Sequence, residues 1–139
     1  MTSDAWPQLI ADEGYEAVIF DCDGTLVESS EAQFLAFQSA VQTQGYAMER
    51  AWYESRTGLD RQSILASFSE IVSGTFNIPL AVNDSIAAFT RSSANVTPIY
   101  ETTDLVRFLR SSFKLAVVTN SEDEVVNASL NQVGLRDHF

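Results

Sequence analysis

Two aspartates directly follow a short apolar run near the start of the sequence. The run AVIF occupies Ala17–Phe20 and is followed by Asp21, Cys22, Asp23 and Gly24. Two carboxylates this close repel each other and resist removal from water, so the pair indicates a functional constraint. A carboxylate at a strand end can attack phosphorus, and a second one two residues later points to the same side of an extended chain. Because that second group can protonate a leaving oxygen and then deprotonate water, the pattern predicts a phosphoryl-transfer site.

A divalent cation and several hydrogen-bond donors are needed to hold a phosphate beside these acids. Attack on a phosphate dianion is electrostatically opposed, and Mg²⁺ bridging the nucleophile and the phosphate offsets that repulsion. Gly24 permits a tight turn whose amides face phosphate oxygens, and Thr119, after a second apolar run, can donate its hydroxyl. The helix that follows offers its amino-terminal amides. Its first turn carries Glu122, Asp123 and Glu124, which oppose a phosphate but also complement the helix dipole.

The elements that position these residues are two predicted parallel strands. The unbroken apolar runs at residues 17–21 and 114–120 indicate strands buried on both faces. Ser30 and Ser121 each begin a capping-box pattern, so a helix is expected after each strand. Ligands of open α/β sheets bind at the carboxyl ends of the strands. We therefore expect Asp21 and Asp23, which follow the first strand, and Thr119 and Asn120, which follow the second, to meet at one sheet edge.

Most of the sequence between the two strands has the apolar spacing of amphipathic helices. Helices are predicted for a segment that closes near Gly45 and for residues 49–56, 61–72, 82–91 and 103–110, with NVTPIY as a linker. The predicted fold class is α/β: a Rossmann-like parallel-sheet core with an inserted α-helical cap. Residues 1–30 and 96–139 form the predicted core, and residues 31–95 form the cap.

The segment RTGLDR, Arg56–Arg61, has two interpretations. It is either a solvated loop between helices or a cap loop that reaches over the site to contact the substrate. In the second case Arg61 is the better candidate, because a cap over a phosphate site benefits from one guanidinium. We include Arg61 among the predicted phosphate-binding residues, together with Cys22 and Gly24 of the turn.

Composition excludes several classes of partner. Eight basic residues against nineteen acidic ones give a formal charge of -11. Nucleic acids and anionic membranes are therefore not expected as partners, because no basic surface exists to neutralise their phosphates. No stretch approaches the length of a membrane span, and the first residues lack the features of a signal peptide. With one cysteine and no internal disulfide, we expect a cytoplasmic protein with a small phosphorylated substrate.

The pattern DCDGTL, followed later by VVTN, resembles the signature of the haloacid dehalogenase-like hydrolase superfamily. The helical insertion is similar to the cap of the branch that contains phosphoglycolate phosphatase and β-phosphoglucomutase. The resemblance covers Tyr15–Phe139. It implies that Asp21 is the nucleophile and a Mg²⁺ ligand, and that Asp23 is the general acid and base and a Mg²⁺ ligand through its carbonyl. It also implies phosphate binding by Thr119 and Asn120.

The resemblance implies a magnesium-dependent phosphatase that acts on a small phosphorylated metabolite through an aspartyl-phosphate. A sugar-phosphate mutase is the alternative, because GLDRQS at residues 58–63 loosely resembles the cap loop of β-phosphoglucomutases. The family continues past GLRDHF with a lysine that neutralises the phosphate and an acidic motif that completes the magnesium site. The sequence is therefore interpreted as the amino-terminal part of a longer enzyme. Alone, it is expected to be an inactive or impaired fragment that self-associates through an open sheet edge.

Overall fold

The computed structural model describes residues 5–139, which divide into two compact units. The first contains the described residues up to Ser29 together with Val96–Thr119 and Asn127–Phe139. The second contains Ser30–Asn95 and Asn120–Val126. Residues 120–126 thus group with the helices of the second unit.

The first unit is built on a two-stranded parallel sheet. Strand β1 (Ala17–Phe20) pairs with β4 (Lys114–Val117), and the register runs from Ala17 opposite Lys114 to Phe20 opposite Val117. The other regular elements that lie wholly in this unit are helices α1 (Trp6–Asp12) and α6 (Tyr100–Leu109), strands β2 (Val27–Glu28) and β3 (Thr97–Pro98), and a 3₁₀ turn at Arg136–His138. The parallel pair confirms the predicted α/β class.

The short strands β2 and β3 form a second, antiparallel pair that the sequence does not predict. Val27 lies opposite Pro98, and Glu28 lies opposite Thr97. Two-residue strands have too little periodicity to be recognised in a sequence. Helix α1 is likewise not predicted, and α6 begins at Tyr100, three residues earlier than expected.

The two faces of the parallel sheet differ in exposure, so the prediction of strands buried on both faces is wrong for the described residues. Ala17 and Ile19 on β1 share a face with Ala116 and Val118, and all four side chains are exposed, Ile19 by 66% and Val118 by 63%. Phe20 points to the opposite face and is buried. The apolar runs indicate the right strands, but the described elements cover only one side of them.

The second unit is helical. It contains α2 (Ser30–Gln42), α3 (Arg50–Glu54), α4 (Arg61–Ile71) and α5 (Ile78–Arg91), and α7 (Asp123–Gln132) begins within it. Asp60 caps α4 by accepting a hydrogen bond from Ser63 N at 2.9 Å, and Asn77 caps α5 by accepting from Leu80 N at 3.0 Å. The Asn77 cap explains why α5 begins at Ile78 and not at residue 82.

An aromatic-rich core holds the helical unit together. Helices α2, α4 and α5 pack around buried side chains that include Phe34, Phe37, Val41, Ile64, Leu65, Phe68 and Ala81. Burying side chains of this size contributes about 1.5–3 kcal/mol each. In the described part of the chain, no helix is long and apolar enough to cross a bilayer.

Candidate active site

The site is built where β1 and β4 end side by side. Val118 N donates to Phe20 O at 2.9 Å, which extends the ladder to the last residues of both strands. Asp21 therefore leaves β1 beside the point where the chain leaves β4 and reaches Thr119. The Asp21 side chain is exposed and that of Thr119 is half-buried. The parallel register thus places the first aspartate and the threonine at one sheet edge, as the sequence predicts.

A tight turn after Asp21 reverses the chain toward β2. Cys22 O accepts hydrogen bonds from Leu26 N at 2.8 Å and from Val27 N at 3.2 Å, and Gly24 N donates to Val27 O at 2.8 Å. Gly24 has φ +76°, in the left-handed region that side chains disfavour. The glycine of the motif is therefore required by the backbone conformation of this turn.

The amino-terminal end of α6 anchors the same turn from outside. Ile99 N donates to Leu26 O at 3.0 Å, and the Thr102 hydroxyl donates to Thr25 O. Leu26 is fully buried. These contacts join residues that are about 75 positions apart, so the turn is held by tertiary structure as well as by its own hydrogen bonds.

Ser29 positions the second aspartate. Its hydroxyl donates to Asp23 Oδ1 at 2.5 Å, and the serine is 4% exposed whereas Asp23 is half-buried. A hydrogen bond to a carboxylate fixes the direction of its other lone pairs. Sequence reasoning did not assign Ser29, because a serine six residues after an aspartate is not by itself a recognisable signal.

The side chain of Cys22 is fully buried, whereas Asp21 is exposed and Asp23 is half-buried. Burial, together with the nearby charges of Asp23 and Asp21, raises the pKa of its thiol to about 12. The thiol is therefore neutral at physiological pH. Any contact between Cys22 and a phosphate would have to use its backbone amide.

Asn120 and Arg61, the other predicted phosphate-binding residues, both belong to the helical unit. Asn120 Nδ2 donates to Gly58 O at 3.2 Å. Arg61 is buried, and its Nε donates to Glu122 Oε2 at 3.0 Å. The structure thus brings Asp21, the turn and Thr119 together in one unit, and Asn120 and Arg61 together in the other.

The donor set at the end of β1 suits Mg²⁺ better than other common metals. Among residues 5–139 there is no cluster of three or more His, Cys, Asp or Glu side chains that could enclose a metal ion. Mg²⁺ is commonly held by one or two carboxylates, with water and substrate phosphate completing its shell. The Asp21 carboxylate and the backbone carbonyl of Asp23 are oxygen donors that would suit such a shell. Zinc, in contrast, prefers a closed set of nitrogen and sulfur ligands.

Comparisons with known proteins agree with this geometry. The sequence model described as haloacid dehalogenase-like hydrolase matches residues 18–139. A comparison with curated proteins found no match.

Solved structures share the fold over most of the chain. CbbY from Rhodobacter sphaeroides, in complex with phosphate, is 25% identical with a TM-score of 0.79, over 89% of this chain and 60% of that one. A predicted phosphoglycolate phosphatase from Haemophilus somnus is 19% identical with a TM-score of 0.75, over 89% and 60% of the two chains. A hydrolase of the same family from Streptococcus pneumoniae is 22% identical with a TM-score of 0.71, over 89% and 58%. The chain therefore spans about 60% of the length of the solved structures that it matches.

Proposed function

The chain belongs to the haloacid dehalogenase-like hydrolase family, and on that premise we propose that it carries the nucleophile of a magnesium-dependent phosphatase for a small phosphorylated metabolite. One observation supports this above the others. Asp21 leaves β1 at the same sheet edge where Thr119 follows β4, and Asp23 is fixed two residues later by Ser29. The phosphate bound in the CbbY structure agrees with the proposed ligand class.

The proposed reaction has two steps. A carboxylate oxygen of Asp21 forms a bond to phosphorus while the bond from phosphorus to the leaving oxygen breaks, and Asp23 gives its proton to that oxygen. Asp23 then takes a proton from water, the water oxygen bonds to phosphorus, and the Asp21–phosphorus bond breaks to release phosphate. The Ser29 hydroxyl keeps the Asp23 carboxylate in one orientation through both transfers.

Backbone and side-chain donors hold the phosphate during these steps. The Gly24 amide donates to Val27 O within the turn, so the backbone donor is proposed to be the Cys22 amide, and Thr119 carries a hydroxyl at the adjacent strand end. Asn120 and Arg61 are proposed to contact the substrate as well. A bound Mg²⁺, held by the Asp21 carboxylate and by Asp23, would screen the repulsion between the nucleophile and a phosphate dianion.

The 139 residues alone are proposed to bind Mg²⁺ and phosphate weakly and to turn over slowly. Lys114, the single lysine of the sequence, stands at the start of β4, at the opposite end of the sheet from Asp21. Phosphate at the strand ends therefore meets two aspartates without a lysine in this chain to neutralise it. We also propose that the chain self-associates through its open sheet.

Replacing Asp21 tests the proposed nucleophile. Because a carboxamide cannot attack phosphorus, Asp21→Asn should reduce magnesium-dependent hydrolysis of p-nitrophenyl phosphate by at least about a hundredfold. It should also abolish the ¹⁹F NMR signal of a beryllofluoride adduct, which forms on the carboxylate and does not depend on turnover. Glu16→Gln is the matched control, since Glu16 is an exposed acid at the other end of the same strand. Unchanged hydrolysis in Asp21→Asn would show that the nucleophile is elsewhere.

An assay with a hexose phosphate in place of p-nitrophenyl phosphate separates the phosphatase from the mutase by their products. Incubation with a hexose phosphate should release free phosphate in step with substrate loss. Net isomerisation with little free phosphate would favour transfer to a sugar, in line with the likeness of residues 58–63 to a mutase cap loop.

A further inference from the structure

The motif turn, residues 21–27, is closed on one backbone carbonyl. Cys22 O accepts hydrogen bonds from three amides: Thr25 N at 3.2 Å, Leu26 N at 2.8 Å and Val27 N at 3.2 Å. Because a carbonyl oxygen has only two lone pairs, three converging amides leave its peptide plane little freedom to rotate. That peptide joins Cys22 to Asp23, so its orientation sets where Asp23 stands relative to Asp21. The arrangement of the two acids therefore depends on the peptides that supply these amides.

Two of those peptides are held from their other side by the start of α6. The peptide between Thr25 and Leu26 donates into the turn, and its carbonyl, Thr25 O, accepts from the Thr102 hydroxyl. The next peptide, whose N–H belongs to Val27, also donates into the turn, and its carbonyl, Leu26 O, accepts from Ile99 N at 3.0 Å. The N–H and C=O groups of a trans peptide point in opposite directions, so each of these peptides is fixed at both ends.

The Thr102 hydroxyl lies near two acceptors. Besides Thr25 O, it is 3.0 Å from Ile99 O, the carbonyl three residues earlier in the chain. Ile99 O also accepts from Thr103 N at 3.0 Å. Because a hydroxyl donates one proton and Ile99 O has a backbone donor of its own, we assign the Thr102 proton to Thr25 O. Both threonine side chains are half-buried, so water can replace this hydrogen bond only in part.

We propose that Thr102 is a positioning residue for the motif turn, and that it acts through the peptide between Thr25 and Leu26. Its hydroxyl does not contact the phosphate. It keeps the backbone of residues 21–23 in one arrangement, so that the Asp21 carboxylate and the Cys22 amide can meet the same phosphate. The turn and α6 both belong to the first unit. This inference rests on the proposed function.

Thr103, the next residue of α6, provides a matched control. It is fully buried, and its hydroxyl donates to Tyr100 O at 3.3 Å, within the helix. Thr102 and Thr103 therefore both have a carbonyl acceptor three residues earlier, but the Thr102 hydroxyl also reaches the turn. Replacing either residue with valine exchanges one hydroxyl for one methyl group at the same helix end.

The test compares Thr102→Val, Thr103→Val and Thr102→Ser in the 139-residue chain. Binding of tungstate, a phosphate mimic, is measured by calorimetry in the presence of Mg²⁺. Amide hydrogen exchange of Leu26 and Val27 is measured without ligand, relative to the exchange of Leu135. Leu135 is fully buried in the same unit, and its N–H donates to Leu130 O at 2.8 Å. The ratio therefore separates a local change in the turn from a change in the stability of the whole unit.

Thr102→Val should weaken tungstate binding about tenfold and raise the exchange ratio by a similar factor. A tenfold change corresponds to about 1.4 kcal/mol, which lies within the cost of leaving a carbonyl without its donor. Thr103→Val should change neither quantity. Thr102→Ser keeps the hydroxyl and should restore most of both losses, which a role in packing alone would not produce.

Equal effects of Thr102→Val and Thr103→Val would overturn the proposal, because they would show a general disturbance of α6. Loss of binding in Thr102→Ser as large as in Thr102→Val would overturn it as well, since the serine hydroxyl can still donate. If the valine variants do not fold, Thr102→Ala is compared with Thr103→Ala in the same two measurements.

Failure of the proposed function gives a different result. If the unmodified chain binds no tungstate with Mg²⁺, the phosphate site is wrong, yet the exchange ratio still reports whether Thr102 fixes the turn. If tungstate binds, and Thr102→Val changes neither the affinity nor the exchange ratio, the positioning role is wrong and the phosphate site stands.

Discussion

Adjacent residues of the DCDG motif have side chains in different environments. Asp21 is exposed and Asp23 is half-buried, whereas Cys22 between them is fully buried. This alternation follows from the extended backbone at the end of β1, where successive side chains point to opposite sides. The two acids therefore stay in reach of solvent, while the residue between them fills the interior.

The buried thiol of Cys22 predicts a stability that falls in alkaline solution. Its pKa is raised from 9.0 to about 12, so the unfolded state loses the proton first as the pH rises above 9. The contribution of the neutral thiol to the free energy of unfolding is fully present below pH 9. Above pH 9 this contribution decreases by up to about 1.4 kcal/mol per pH unit. Urea unfolding between pH 8 and 11 should show that the free energy of unfolding of the unmodified chain approaches that of Cys22→Ala, by up to this amount per pH unit. A constant difference between the two proteins would contradict the assignment.

At the scale of elements, the turn between β1 and β2 determines where the two carboxylates lie. It is closed by backbone hydrogen bonds to Cys22 O and anchored by the start of α6. Within this turn, Gly24 has a left-handed backbone conformation, with φ +76°. An added Cβ there meets nothing within 4 Å, so the cost of a side chain comes from the backbone alone.

Gly24→Ala should therefore destabilise the fold modestly and impair the site strongly. We expect the free energy of unfolding to fall by about 1–2 kcal/mol, the usual penalty for a left-handed residue with a Cβ. We also expect the variant to lose binding of tungstate, a phosphate mimic. Gly134→Ala is the matched control, since Gly134 has φ +72° and equally open surroundings at the end of α7. Urea unfolding should give similar losses for both variants. Intact tungstate binding in Gly24→Ala would mean that the turn does not position the ligand.

At the scale of the whole molecule, residues 5–139 leave one apolar side of the parallel sheet uncovered. Ile19 and Val118 are exposed on one face, and a groove of about 330 Å³ runs beside β1, lined by side chains that include Tyr15 and Leu105. Parallel sheets in folded proteins are normally covered on both faces, and free apolar strand edges promote association. The formal charge of -11 opposes close contact between two copies, so association should strengthen with added salt.

We predict that Ile19→Thr reduces self-association of the 139-residue chain. Threonine keeps the β-branched shape that suits a strand but replaces an apolar end with a hydroxyl on the exposed face. Light scattering at increasing protein concentration should show a smaller average mass for the variant, most clearly in 0.5 M salt. Leu80→Thr is the control, because Leu80 is an exposed apolar residue on α5 in the helical unit. Equal masses for all three proteins would show that the sheet face is not the contact.

The sequence by itself determined the family, the α/β class, both long strands and the acids at the end of β1. These features depend mainly on short segments of the sequence. An apolar run favours a strand, and the glycine of the DCDGT motif permits the turn that follows it. The sequence also indicated α4, whose cap residue Asp60 and apolar spacing lie within one short segment.

Only the tertiary structure decided the partners of those residues. The hydrogen bond from Ser29 to Asp23, the ion pair of Arg61 with Glu122, and the attachment of residues 120–126 to the helical unit all depend on elements that meet in space. The pairing of β2 with β3 joins positions about 70 residues apart. Side-chain pairing at such separations leaves no periodic signal, because contacts between distant segments depend on how whole helices and strands pack.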